Sequence, residues 1–510
     1  MVTETDPRYR LPDGFLLGGG TASYQTEGAW DKDGKTPSVF DHSYHLVNAT
    51  LHGDTAADSY HRYKEDIALA HELNLDVYRI SISWPRVCPD GHCDRNTTKA
   101  GVDHYHDVIN EIIKYNMTPM VTVYHFDHPQ ALEDEFGGWL DAKMIDVFVT
   151  YADFLFKTFG SKVKHWLTLN EINMHCLLTY GGGGFPPGLT MNTTDDMVYK
   201  CMHHEILAHS AAYRLYEDRY RAASPGSVVG IGAVTFFSRP NSTEYDDLDA
   251  AHRANMFDVG LVLSPLVHGD YPEVVRRTLL ASKGAGWLPE FTDEQKRSLP
   301  GTLDFVGLNA YFGATVASPS KGKVPGRGGA AASWNKVDAN VTVVGRPAGA
   351  AGGFGDVFAT VSPWIIRDVT LFIQSHFPAV KIFVTENGLG HKENSTDDWD
   401  SRAVYHSAYL RELTRTINED GADVIGYTVW SFLDDFEWGG GYERRFGVVH
   451  VDYEGGTLNR TLKRSKYFFQ KLMADRAVPL VEASAASAAT ATLAIVLAAA
   501  ATLLRAPFLV

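Results

Sequence analysis

Two glutamates stand where the chain leaves an apolar run: Glu171 in "TLNE", directly after Asn170, and Glu386 in "TENG", directly before Asn387. One carboxylate past a strand end is ordinarily a solvated charge. Two that face each other across a glycosidic bond can cleave it in either of two ways. At about 5–5.5 Å one attacks the anomeric carbon while the other moves the proton, and configuration is retained. At about 6.5–9.5 Å a water fits between them and configuration inverts. Sequence does not fix that distance. The ends of the other apolar runs supply Gln25, Arg79, His125, Asn309, Tyr311, Trp430, Glu437 and Trp438. A hydroxyl-rich ligand needs such directional donors and acceptors, and aromatic faces against the C–H surface of its ring. Other chemistries lack their residues, since no Cys/His pair has zinc spacing and neither a G-x-S-x-G elbow nor a P-loop occurs. His125 and His128 in "YHFDHP" form a His-x-x-His pair, but two rings at a strand end diverge, so a metal there is not expected.

Elements that could position these groups recur along the chain. Short β-branched or apolar runs lie near 14–24, 77–84, 118–126, 163–171, 228–235, 303–311, 380–388 and 423–432. Each ends in a polar cluster. Amphipathic stretches near 57–74, 101–116, 142–158, 195–222, 363–376, 401–419 and 463–475 alternate with them. Apolar strands alternating with helices predict a parallel sheet covered on both faces. Eight units predict an α/β fold, a single (β/α)8 TIM barrel with long βα loops, whose C-terminal strand ends gather at one mouth. An open doubly wound sheet is the competing architecture, but no G-x-G-x-x-G opens the first helix. Segment 312–362 is expected as a loop over the mouth, with Trp334 a candidate stacking residue and "GRPAGAAGGFG" (345–355) its most pliable part.

The barrel is expected over residues 1–477 and a separate Ala-rich tail over 478–510. The chain's 510 residues are 45% hydrophobic and 12% aromatic, enough for a large core. A net charge of −16 argues against nucleic acid or an anionic membrane surface as main partner. Eight of the 17 asparagines (48, 96, 116, 192, 241, 340, 394 and 459) begin an Asn-x-Ser/Thr sequon, against about 2 by chance. That excess points to a glycosylated protein of the secretory route, extracellular or at the cell surface. The N-terminal segment has no apolar signal core, so this expectation requires a leader that has been removed. Cys88 and Cys93 bracket a turn-rich loop and would either close a small disulfide or remain thiols; Cys176 and Cys201 are left without an assigned pairing. Residues 485–504 carry no charge and are long enough to span a bilayer; the tail is expected to anchor the protein to a membrane as a span or a GPI signal.

The motifs "GFLLGGGTASYQTEGAW", "YRISISWPR", "VYHFDHPQALEDEFGGWL", "TLNE", "GDYP", "DFVGLNAY", "VTENG" and "WSFLDDFEWGGGYERRFG" follow one another in the order of glycoside hydrolase family 1, the β-glucosidase family. Over about residues 10–475 the chain resembles that family. The resemblance implies a retaining β-glycosidase acting on terminal β-D-glucosides, with β-galactosides and β-fucosides as further candidates, and needing no metal or cofactor. It implies Glu386 as nucleophile and Glu171 as acid/base. Arg79, Tyr311 and Asn309 would support the nucleophile, and Asn170 would bond the sugar 2-hydroxyl. Gln25, His125, Glu437 and Trp438 would hold the remaining hydroxyls, with Trp430 under the ring. The chain departs from the family pattern at Ile172 (usually Pro), Phe126 (usually Trp), Asp435 (usually Asn) and Gly260-Leu261-Val262 (usually Gly-Trp-Phe); "NAY" replaces Asn-Tyr-Tyr. The alternatives are a thioglucosidase and a catalytically silent, membrane-anchored binding protein on the same fold. Retention of both glutamates argues against the silent form.

Overall fold

The computed structural model describes residues 6–47, 50–182, 184–319, 334–345, 360–392 and 395–482. Eight strands close a barrel: β1 (Leu16–Gly20), β2 (Val77–Ser81), β3 (Thr118–Tyr124), β4 (His165–Leu169), β5 (Val228–Thr235), β6 (Phe305–Ala310), β7 (Lys381–Asn387) and β8 (Val424–Val429). Every neighbouring pair is parallel, and β8 closes on β1 with Leu16 opposite Gly426. The eight strands are the eight apolar runs of the sequence.

Each strand contributes one apolar side chain to a common cluster inside the barrel. Val77, Met120, Leu167, Phe305 and Phe383 are buried there, and Leu16, Val228 and Ile425 pack against them. This layer plugs the barrel as side chains do in TIM barrels generally. Within the barrel it leaves the C-terminal strand ends open to a ligand. Outward-facing residues of the strands join the larger core beneath helices such as Ser59–Glu72, Lys99–Lys114, Lys143–Phe159, Asp195–Arg219 and Val404–Asp420.

Two features differ from expectation, and a third resolves a pairing that was left open. The segment after β6 is not only loop: Ala314–Ala317 pairs with Thr342–Gly345 and with Ser238–Pro240 in a three-stranded sheet, and Trp334–Asp338 is a short helix. The Trp334 side chain and, after Gly345, the rest of "GRPAGAAGGFG" lie outside the described residues. Between β5 and β6 the helix Tyr245–Asn255 passes through a π-turn, Met256–Gly260, into Leu261–His268. Gly260 and the internal Pro265 interrupt the helical periodicity that would have revealed it. Disulfides join Cys88 to Cys93 and also Cys176 to Cys201.

The six sequon asparagines among the described residues (96, 116, 192, 241, 340 and 459) are all exposed. Asn48, Asn394 and the tail from residue 483 lie outside the described residues. Among the described residues no helix is long and apolar enough to cross a membrane.

Candidate active site

Simple alternation along β7 would turn Glu386 out of the barrel, because Phe383 points in. The ladder does not alternate simply. Between Val384 and Glu386 the register against β6 shifts, so that Val384 faces Leu308 and Glu386 faces Asn309. A bulge of this kind re-aims the side chains beyond it. Thr385 and Glu386 both reach the mouth, while Asn387 turns outward, donates to the Ala310 carbonyl and to Tyr405, and accepts from the Tyr427 hydroxyl at 2.7 Å. Gly388 follows because a Cβ there would lie 1.6 Å from the Trp430 carbonyl oxygen. The strand's last turns are thus tied on both sides of the carboxylate.

Glu386 is 3% exposed and bonded at both oxygens. Arg79 Nη1 donates to Oε1 at 2.7 Å and the Tyr311 hydroxyl donates to Oε2 at 2.7 Å. Arg79, fully buried on β2, is itself fixed by Thr122 Oγ1 at 3.1 Å, the Thr385 carbonyl at 3.0 Å and Asn170 Oδ1 at 2.8 Å. Charge-assisted bonds of this length orient as well as attract.

Glu171 sits just past β4 and begins the helix Ile172–Tyr180, with a left-handed backbone (φ 42°). For a residue with a side chain this costs about 1–3 kcal/mol, a strain characteristic of functional sites. Gly232 on β5 makes room for it, since a Cβ there would stand 2.9 Å from the Glu171 backbone nitrogen. Burial, and then the charge of Glu386, push the Glu171 carboxyl well above the usual carboxylate range; the Asn309 bond and Arg79 oppose that shift.

Asn309 corrects an expectation. Its Oδ1 accepts from the Thr385 hydroxyl at 2.6 Å, which aims its amide at Glu171 Oε1 (2.7 Å) and Asn170 Oδ1 (3.3 Å). Its side chain therefore bonds the Glu171 carboxyl and not that of Glu386, which it neighbours through the strand ladder. Asn170 Oδ1 receives both Arg79 and Asn309, and so its own amide is left facing the pocket, 3.5 Å from His125 Nε2.

The remaining predicted residues line the same space. Gln25 Nε2 donates to Glu437 Oε2 at 3.1 Å, and the His125 ring lies nearly parallel to both Trp430 (5.8 Å, 11°) and Trp438 (6.1 Å, 12°). Burial, followed by the Glu386 charge, raises Glu437 to about 8, against Arg444, Trp430 and Gln25. Burial, with Arg79 second, holds His125 well below the usual imidazole range. Gln25 Oε1 and His125 Nδ1 are buried with no hydrogen-bond partner among the described residues. Orphaned polar atoms at a mouth lined by aromatic rings are what a polyhydroxyl ligand would satisfy.

His128, by contrast, turns away from the pocket to Tyr124 (2.8 Å) and Glu133 (2.8 Å). The departures are also accounted for. Phe126 stacks on His175 (5.1 Å, 6°) within an apolar cluster beside Trp438. Ile172, Leu261 and Val262 are buried packing residues. The Asp435 carboxylate is 1% exposed with neither oxygen bonded among the described residues, and burial, followed by Glu437, pushes it well above its usual range, which favours the protonated acid where the family has an amide. Sequence reasoning missed Thr122, Thr385 and Gly232. Their only signal is a small residue at an inward position of a strand whose neighbours are large.

The family model "Glycosyl hydrolase family 1" matches residues 8–478. The chain is 35% identical over 477 residues to cyanidin 3-O-glucoside 7-O-glucosyltransferase (acyl-glucose) of Delphinium grandiflorum, covering 91% of this chain and 90% of that protein. The aphid myrosinase structure superposes with a TM-score of 0.83 at 34% identity, over 91% of this chain and 99% of that one. A rice β-glucosidase variant in covalent complex with glucose superposes with a TM-score of 0.81 at 33% identity, over 91% and 98% of the two chains. The chain belongs to glycosyl hydrolase family 1 and is a glycoside hydrolase of the β-glucosidase type.

Proposed function

We propose that the protein hydrolyses terminal β-D-glucosides with retention, through a covalent glycosyl-enzyme. The observation that carries this reading is the opposite surroundings of its two carboxylates: Glu386 is met by a cation and a phenol, and Glu171 is buried beside that charge. In the first step a Glu386 oxygen bonds to the anomeric carbon as the glycosidic C–O bond breaks, and Glu171 gives its proton to the departing oxygen. Esterification removes the Glu386 charge that discourages ionisation of Glu171. Glu171 then takes a proton from water as that water attacks the anomeric carbon, and Glu386 leaves as carboxylate. Two inversions give net retention. Asn170, with its carbonyl held by Arg79 and Asn309, offers its amide to the sugar 2-hydroxyl. Gln25, His125, Glu437 and Trp438 hold the other hydroxyls over Trp430. The covalent glucose complex of the rice relative supports the same course.

Proton NMR of a β-glucoside digest tests it: the first-formed glucose is the β anomer, and an α anomer would overturn the mechanism. A thioglucoside and an acceptor alcohol in the same substrate panel separate hydrolysis of O-glucosides from the chemistries that the myrosinase and glucosyltransferase relatives are named for. Exposed sequons and two disulfides support a glycosylated, secretory-route protein, and the uncharged sequence 485–504 is the basis for a tail that attaches it to a membrane. Enzymatic deglycosylation of native protein should lower its mass, and phospholipase release from cells would identify a GPI anchor rather than a span.

A further inference from the structure

Away from the pocket, a second set of chemistry-bearing groups is buried between two helices. Ile172–Tyr180 carries His175 and Cys176, and Asp195–Arg219 carries Cys201 and Glu205. The latter two are four residues apart and so share one helix face. One ligand atom from each of the four residues lies within 4.8 Å of all the others, and all four are buried. Glu205 Oε1 is 2.7 Å from His175 Nδ1, and its Oε2 is 3.3 Å from Cys176 Sγ. A disulfide sulfur carries no hydrogen. In the oxidised form, therefore, Glu205 Oε2 is buried with only sulfur beside it and no N–H or O–H donor among the described residues.

We propose that this cluster is a redox-gated site for one divalent ion of the zinc class, ligated by His175, Cys176, Cys201 and Glu205 when the disulfide is open. A dithiol supplies two electrons and two protons: the Cys176–Cys201 bond breaks, two thiols form and the dithiol closes to its own disulfide. Binding then releases both thiol protons to solvent. Two thiolates, an imidazole and a carboxylate match the tetrahedral preference of zinc, and the soft sulfurs exclude magnesium and calcium. The sulfurs would part to about 3.8 Å, the edge of a tetrahedron with metal–sulfur bonds near 2.3 Å. The outer contacts suit the role. His175 Nε2 lies 3.3 Å from the Tyr124 hydroxyl, which is 2.8 Å from His128 Nδ1; His128 Nε2 is 2.8 Å from Glu133. In the tautomer with hydrogen on both Nε2 atoms, each of these three contacts has a donor and His175 Nδ1, facing Glu205, keeps a lone pair for the metal. Among the described residues the other disulfide, Cys88–Cys93, belongs to no such group.

Cobalt(II) titration of the full chain tests this. The protein is reduced with a dithiol, desalted without air and compared with its oxidised form. The reduced protein should bind one cobalt with thiolate charge-transfer absorption and tetrahedral d–d bands, displaced by zinc; the oxidised protein should show neither. Cys176→Ser should lose saturable binding, Glu205→Gln should weaken binding but keep the charge-transfer band, and the double variant Cys88→Ser, Cys93→Ser should bind as wild type. Absence of cobalt binding to the reduced wild type, with its thiols confirmed free and its circular dichroism retained, overturns the proposal. So does binding that follows Cys88 and Cys93 instead. If Cys176→Ser fails to fold, the reduced-against-oxidised comparison decides by itself.

Discussion

The two sides of the barrel mouth treat the same side chain in opposite ways. On the β7 side, a bulge delivers Glu386 to Arg79 and Tyr311, one donor for each oxygen. On the β4 side, a strained backbone delivers Glu171 to one neutral amide, in a buried place that faces the first carboxylate. Identical carboxyls in different company part ways: Glu386 is held by two donors, while burial and that neighbour push Glu171 well above the usual carboxylate range, the division of labour that double displacement needs. Breaking either environment should move the two sides apart in predictable ways.

Removing the charged side should do the most harm. Glu386→Ala should lower kcat at least about 10⁴-fold, as loss of a covalent nucleophile does. Azide should restore part of the activity and yield an α-glycosyl azide, because the attack now comes directly on the β-glucoside. Residual turnover with retention would assign the nucleophile elsewhere. On the neutral side, Glu171→Ala should cost about 10²–10⁴-fold on alkyl glucosides, the range of general acid catalysis, and far less on activated aryl glucosides. Equal losses on both substrates would contradict its role as acid.

Smaller changes sharpen the contrast. Tyr311→Phe strips the donor from Glu386 Oε2 and leaves Arg79 in place, so a loss of about 10²-fold in kcat is expected, comparable to loss of one oxyanion-hole donor. An unchanged kcat with raised KM would make Tyr311 a binding residue only. The smallest catalytic effect belongs to Asp435→Asn. Burial, followed by Glu437, holds the native acid's folded pKa well above its unfolded value, so the folded state binds the extra proton and stability falls as pH rises from about 4 toward the folded pKa. Asparagine removes that loss. Activity at neutral pH should stay near wild type, and the thermal midpoint should gain more at pH 7 than at pH 4. A pH-independent difference would remove the buried acid from the account.

Much of this arrangement was legible in the sequence, and the parts that were not share a physical cause. The strands could be read because each is largely buried on both faces and reads as a short apolar or β-branched run. Glu171, Glu386 and Arg79 could be read because a barrel sends all strand ends to one mouth. The bulge before Glu386 could not, since a period-two pattern carries no mark of a one-residue slip. Nor could the partner of Asn309, which is decided by which of its two amide atoms Thr385 occupies. The Cys176–Cys201 cluster escaped because its ligands come from two helices and have no local spacing to recognise.

The most direct test is the ionisation of Glu171, followed by carbon NMR of the labelled carboxyl before and after Glu386 is trapped with a slow fluorosugar substrate. The free enzyme should show Glu171 titrating well above the usual carboxylate range. Once peptide mass spectrometry confirms the sugar on Glu386, that titration should move to lower pH. An unmoved Glu171, or a sugar carried by any other residue, would contradict the account.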